Sequence, residues 1–84
     1  MRRIVVVGGA AQGRQVIDAV EEAGDATVVG VLDRERPAGD SVAGYPVLGT
    51  DRDLASCARA AGADGFVVAI GDNATRGAVL EREL

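Results

Sequence analysis

The segment "IVVVGGAAQG", Ile4 to Gly13, constrains this chain more than any other. Ile4 to Val7 is an unbroken apolar run of β-branched residues, the composition of a strand covered on both faces. Gly8 and Gly9 stop it. From about Gln12 the apolar residues fall at Val16, Ile17, Val20 and Ala23, while Arg14, Gln15, Asp18, Glu21 and Glu22 take the other side, which is helical spacing. Gly24 is a natural C-terminal stop for that helix. Thr27 to Leu32, "TVVGVL", reads as a second buried strand, so the opening third of the chain is strand, helix, strand. Two such strands joined through a helix lie parallel, with a right-handed crossover.

The remainder extends this pattern. Asp33 to Tyr45, "DRERPAGDSVAGY", carries charge, glycine and proline without periodicity and is expected to be a surface loop at a strand end. Pro46 to Leu48 is a short strand candidate near a sheet edge, where a residue without an N–H is tolerated. Thr50 followed by Asp53 resembles a helix start, and Leu54, Cys57, Ala58 and Ala61 share one face before Gly62 ends it. Gly65 to Ile70, "GFVVAI", is a further buried strand. Asn73 is placed to cap a third helix running to Leu84, with Val79, Leu80 and Leu84 on its apolar side. The order of elements predicts an α/β fold: a Rossmann-like, open, mainly parallel sheet of about four strands in a three-layer arrangement, forming one domain over residues 1–84.

Composition narrows the chemistry. The chain has 84 residues and 2% aromatic content, so its core is built from Val, Leu, Ile and Ala. It contains no His and no Lys, which excludes a Ser-His-Asp triad, an imidazole zinc site, a Walker lysine and a Schiff base. Cys57 is the single cysteine, leaving no internal disulfide and no thiol cluster for a metal; its alanine-rich surroundings suit a small packing residue. The net charge of −4, with arginines scattered and no basic stripe, argues against a nucleic-acid partner. No apolar run is long enough to span a bilayer, and "MRRIVVV" is too short for a signal peptide, so a cytoplasmic location is expected.

A glycine turn between a strand and a helix presents backbone N–H groups and the positive end of the helix dipole to an anion. In the G-x-G-x-x-G pattern the first glycine makes the turn, the second lets the backbone approach pyrophosphate, and the third allows close packing of helix on strand. Here Gly8, Ala10 and Gly13 hold those places, with Gly9, Ala11 and Gln12 between them. Asp33 follows the second strand, about 20 residues after Gly13, where a carboxylate accepts from ribose hydroxyls. Arg34 beside it weakens any preference against a ribose phosphate. Gly71, Asp72 and Asn73 follow the last predicted strand and belong at the same carboxyl edge. Each of these residues also has a plain structural reading: glycines making a turn, a solvated loop acid, and an asparagine capping a helix.

Four segments, "RIVVVGGAAQGRQVIDAVEEAG", "VVGVLDRE", "VAGYPVLGTDRDL" and "FVVAIGDNATR", together resemble the N-terminal domain of the PglD/NeuD-type sugar O- and N-acyltransferases. The resemblance spans nearly the whole chain. It implies a Rossmann-like domain that binds a nucleotide-activated sugar, commonly a UDP-amino sugar. In such proteins a left-handed β-helix of hexapeptide repeats follows, binds acetyl-CoA, supplies a catalytic histidine and assembles homotrimers. This chain carries neither hexapeptide repeats nor histidine, so no cofactor and no catalytic residue are assigned to it. The family loop usually reads G-x-G-G-H-G; here Gln12 stands at the histidine position. By the resemblance, Gly8 to Gly13, Asp33, Arg34 and Gly71 to Asn73 are the candidate ligand contacts. Two other readings remain open on the residues alone: a NAD(P)-type dinucleotide module, and a domain without ligand that packs against a partner.

Overall fold

A computed structural model describes residues 2–8, 10–70 and 78–83. The strands are β1 (Arg2–Val7), β2 (Ala26–Leu32), β3 (Ser41–Val42), β4 (Tyr45–Gly49), β5 (Gly65–Ile70) and β6 (Ala78–Glu83); the helices are α1 (Ala10–Ala23) and α2 (Leu54–Ala60). They form one sheet in the order β3-β4-β2-β1-β5-β6. The pairs β1–β2, β1–β5 and β2–β4 are parallel, and the outermost pairs β3–β4 and β5–β6 are antiparallel.

Alternation along β1 divides the interior into two layers. Ile4 and Val6 join Val16 and Ile17 of α1 together with Val28, Val31, Val47 and Val67. Val5 joins Leu32 and Ala58 of α2, with Val29, Leu48, Leu54, Cys57 and Phe66 packed around them. The sheet is therefore sandwiched between α1 and α2, the three-layer α/β arrangement expected. Ile4, Val5, Val6 and Ile17 are fully buried, and each contributes about 1.5–3 kcal/mol relative to exposure.

Both helices end where glycine permits a left-handed residue. Gly24 has φ +76° and donates its N–H to the Val20 carbonyl. Gly62 has φ +73°; its N–H donates to the Arg59 carbonyl and that of Ala63 to the Ala58 carbonyl, which is a Schellman ending. At the other end of α2, Thr50 makes no capping bond to the backbone; a turn of 3-10 helix, Asp51–Asp53, leads in, and the Thr50 hydroxyl donates to Asp53.

Two expectations are corrected. The loop read over Asp33 to Tyr45 contains β3, which pairs Ser41 with Pro46 and Val42 with Tyr45 across a tight turn at Ala43 and Gly44, both at positive φ. The third helix read from Asn73 to Leu84 is replaced over 78–83 by β6, paired with β5 from Gly65↔Glu83 to Ile70↔Ala78. The open edge of β5 carries a row of backbone donors and acceptors that a neighbouring strand satisfies. A helix of this length is marginal by itself, and that pairing outweighs its local preference. With these additions the sheet has six strands among the described residues instead of about four.

Candidate functional site

The carboxyl ends of β1, β2 and β5 meet at Gly8. Its φ of +104° turns the chain out of β1, its N–H donates to the Leu32 carbonyl of β2 at 2.8 Å, and a Cβ placed on it would lie 3.5 Å from Ala69 of β5. Gly13, in the first turns of α1, packs directly on this bend: a Cβ there would sit 3.0 Å from the Gly8 carbonyl carbon and closer still to its oxygen. The first and third glycines thus perform the roles their spacing predicted, the turn and the close seating of helix on strand. Ala10, Ala11 and Gln12 form the first turn of α1, which contains no acidic residue to compete for an anion. Gly9 lies outside the described residues.

Asp33 continues β2 beside this bend. It is 8% exposed, the buried charged residue of the described core. Its backbone N–H donates to the Gly49 carbonyl of β4 at 2.9 Å, fixing the strand end. Its Oδ1 accepts from the Glu35 N–H at 2.8 Å, and its Oδ2 lies 3.6 Å from Arg36 Nε. A buried carboxylate requires such partners. Arg34 is exposed on the loop that follows. The structure thus gathers Gly8, the start of α1, Gly13 and Asp33 at one edge of the sheet. Gly71, Asp72 and Asn73 lie outside the described residues.

Sequence reasoning did not single out Arg36 or Asp40. Arg36 Nη1 lies 3.5 Å from Asp40 Oδ2, so this guanidinium spans two carboxylates. The signal in the sequence is an arginine three residues after one aspartate and four before another, which an aperiodic charged loop gives no reason to single out.

A cavity of about 250 Å³ opens elsewhere, at the amino-terminal ends of β1 and β2, lined by Arg2, Ile4, Val20, Ala23, Asp25 and Val67 among others. It lies at the far end of α1 and holds none of the predicted contacts. Its apolar lining is the exposed margin of the core between α1 and the sheet, whereas the backbone donors and the buried carboxylate converge at the opposite edge.

Among known protein families, the one described as PglD N-terminal domain matches residues 3–82. The chain belongs to this family. The PglD N-terminal domain match runs from Arg3 in β1 to Arg82 in β6, and it supports the sugar-acyltransferase setting that the resemblance implied. No curated protein and no solved structure matches the chain. In this PglD N-terminal domain, no described helix is long and apolar enough to cross a membrane. Among its described residues, no three His, Cys, Asp or Glu side chains are grouped so as to hold a metal ion.

Proposed function

We propose that this chain is the nucleotide-sugar-holding domain of a sugar acyltransferase, binding a UDP-amino sugar without catalysing transfer by itself. The observation that carries the reading is the packing of Gly13 on the Gly8 carbonyl beside the buried Asp33. It brings the amino-terminal end of α1 next to a carboxylate at the carboxyl ends of parallel strands, the edge where open α/β sheets take their ligands. The diphosphate would lie on the backbone N–H groups at the start of α1, favoured by its dipole. The ribose would lie against Asp33, and the sugar toward the carboxyl end of β5, where Gly71 to Asn73 follow.

The chain contains no histidine, and the reading assigns the general base to a partner domain. In the reading proposed, a β-helix domain binds acetyl-CoA and removes the proton from the sugar amine or hydroxyl as that group attacks the thioester carbonyl. Assembly into homotrimers and a cytoplasmic setting belong to the same proposal.

Calorimetric titration with UDP, a UDP-amino sugar and NAD at low salt tests it. Saturable binding of both UDP compounds with NAD silent is the expected result. Binding of NAD alone would replace this reading with a dinucleotide module, and silence throughout would leave a packing domain.

A further inference from the structure

Arg36 and Asp40 have no place in the ligand contacts proposed so far, yet they bear directly on Asp33. The two oxygens of the Asp33 carboxylate are held differently: Oδ1 by the Glu35 N–H at 2.8 Å, Oδ2 by Arg36 Nε at 3.6 Å. Arg36 is in turn held by Asp40, 3.5 Å from its Nη1. Asp40 is itself tied into the hairpin. Its N–H donates to the Pro37 carbonyl, its carbonyl accepts from the Val47 N–H of β4, and its Oδ1 accepts from the Ser41 N–H. A chain of contacts therefore runs from the β3–β4 hairpin through Asp40 and Arg36 to a nearly buried carboxylate at the end of β2.

An ionised carboxylate accepts about four hydrogen bonds. The Glu35 N–H uses part of that capacity, Arg36 adds its charge at 3.6 Å, and the remaining acceptor positions match the two hydroxyls of a vicinal diol. Arg36 suits the bridging role because its planar guanidinium presents donors in fixed directions to two acids at once, which an ammonium does not. It is 45% exposed at the side chain, so its removal leaves the core intact.

We propose that Arg36, steadied by Asp40, is a positioning residue that orients the Asp33 carboxylate toward a ribose diol and so sets a preference for ribonucleotides over deoxyribonucleotides. This rests on the nucleotide reading above, since it requires a ribose at Asp33. Arg36 acts through Asp33 and need not touch the ligand.

The test compares UDP with deoxy-UDP by calorimetry on the unmodified chain, Arg36→Ala, Arg36→Lys and Asp40→Asn, with a thermal melt of each. The unmodified chain is expected to favour UDP by roughly tenfold, the value of one charge-assisted hydrogen bond. Arg36→Ala should bring the ratio close to one with little change in melting temperature. Arg36→Lys and Asp40→Asn should give intermediate ratios. A purely structural role for the loop would weaken both nucleotides together and leave the ratio unchanged. An undiminished ratio in Arg36→Ala overturns the positioning role while leaving nucleotide binding intact. Equal binding of the two nucleotides by the unmodified chain overturns it as well, since Asp33 then does not hold the ribose. If the unmodified chain binds neither nucleotide, the nucleotide reading fails and this inference fails with it.

Discussion

Replacing Gly13 by alanine tests the central piece of geometry. In a free helix this change is favourable by about 1 kcal/mol, because alanine gains on glycine in a helix interior. Here the new Cβ would lie 3.0 Å from the Gly8 carbonyl carbon and closer still to its oxygen. The opposing atoms are backbone, pinned by the Gly8 N–H bond to Leu32, and no rotamer change relieves the contact. Overpacking of this kind costs about 1–3 kcal/mol, occasionally more, and a rigid neighbour places the cost at the upper end. The net effect is a loss of about 2 kcal/mol, against a total of roughly 4–12 kcal/mol for a domain of this size. For a small domain that corresponds to a fall in melting temperature of roughly 8–16 °C. Urea and thermal unfolding followed by circular dichroism would measure it, with the nucleotide titration run in parallel. Because α1 must move off β1, nucleotide affinity should fall as well. A variant as stable as the unmodified chain, or more so, would refute the claim that α1 rests on the Gly8 carbonyl.

Three further outcomes follow from the packing and the titrating groups. Gly30→Ala should cost about 1–3 kcal/mol by urea denaturation, because its Cβ would meet Leu48 Cγ at 2.6 Å and displace a side chain packed into the core on the α2 side. Ile17→Ala removes most of a fully buried side chain between α1 and the sheet and should cost about 2–5 kcal/mol, with Ile17→Val costing about 1, read from denaturation midpoints at constant slope. The Tyr45 hydroxyl donates to Glu21 of α1; that hydrogen bond, with desolvation and the Glu21 charge behind it, raises the phenol above its ordinary value of 10.0. Since the folded-state value exceeds the unfolded one, the linked stability is complete below about pH 10 and is lost as pH rises toward the folded-state value. Denaturation midpoints of the unmodified chain should therefore decline across that alkaline window more than those of Tyr45→Phe, and identical pH profiles would count against the contact.

Much of the fold was legible because it rests on short-range patterning. The β-branched run at Ile4 to Val7, the helical spacing of Val16, Ile17 and Val20, and the terminating glycines Gly24 and Gly62 each act within a few residues, and each lies where the pattern placed it. Gly8 and Gly13 were legible for the same reason, as their spacing encodes a turn followed by close packing. Asp33 was legible by its distance from that turn. Its burial was not, since burial depends on Gly49 of β4, from a later part of the chain, accepting the Asp33 N–H.

Gly30 shows where local reading ends. In the sequence it is a weak point in a strand; in the structure it is the space that Leu48 of β4 occupies. The register between β1 and β2 shifts by one residue after Ile4, and that between β2 and β4 shifts after Val31, so that Val29, Gly30 and Leu48 come together on the α2 side of the sheet. The strands β3 and β6 are decided in the same way. Ser41–Val42 is too short to have a period, and 78–83 contains residues compatible with either helix or strand. By itself the sequence determined the α/β class, the position of the glycine turn and the chemistry excluded by the absence of histidine and lysine, because all of these are properties of residue type and near spacing. Only the tertiary structure decided which strands close the sheet edges, which glycine makes room for a distant side chain, and that the Asp33 carboxylate is buried, because backbone pairing and burial are settled by the assembled sheet and not by residue type and near spacing.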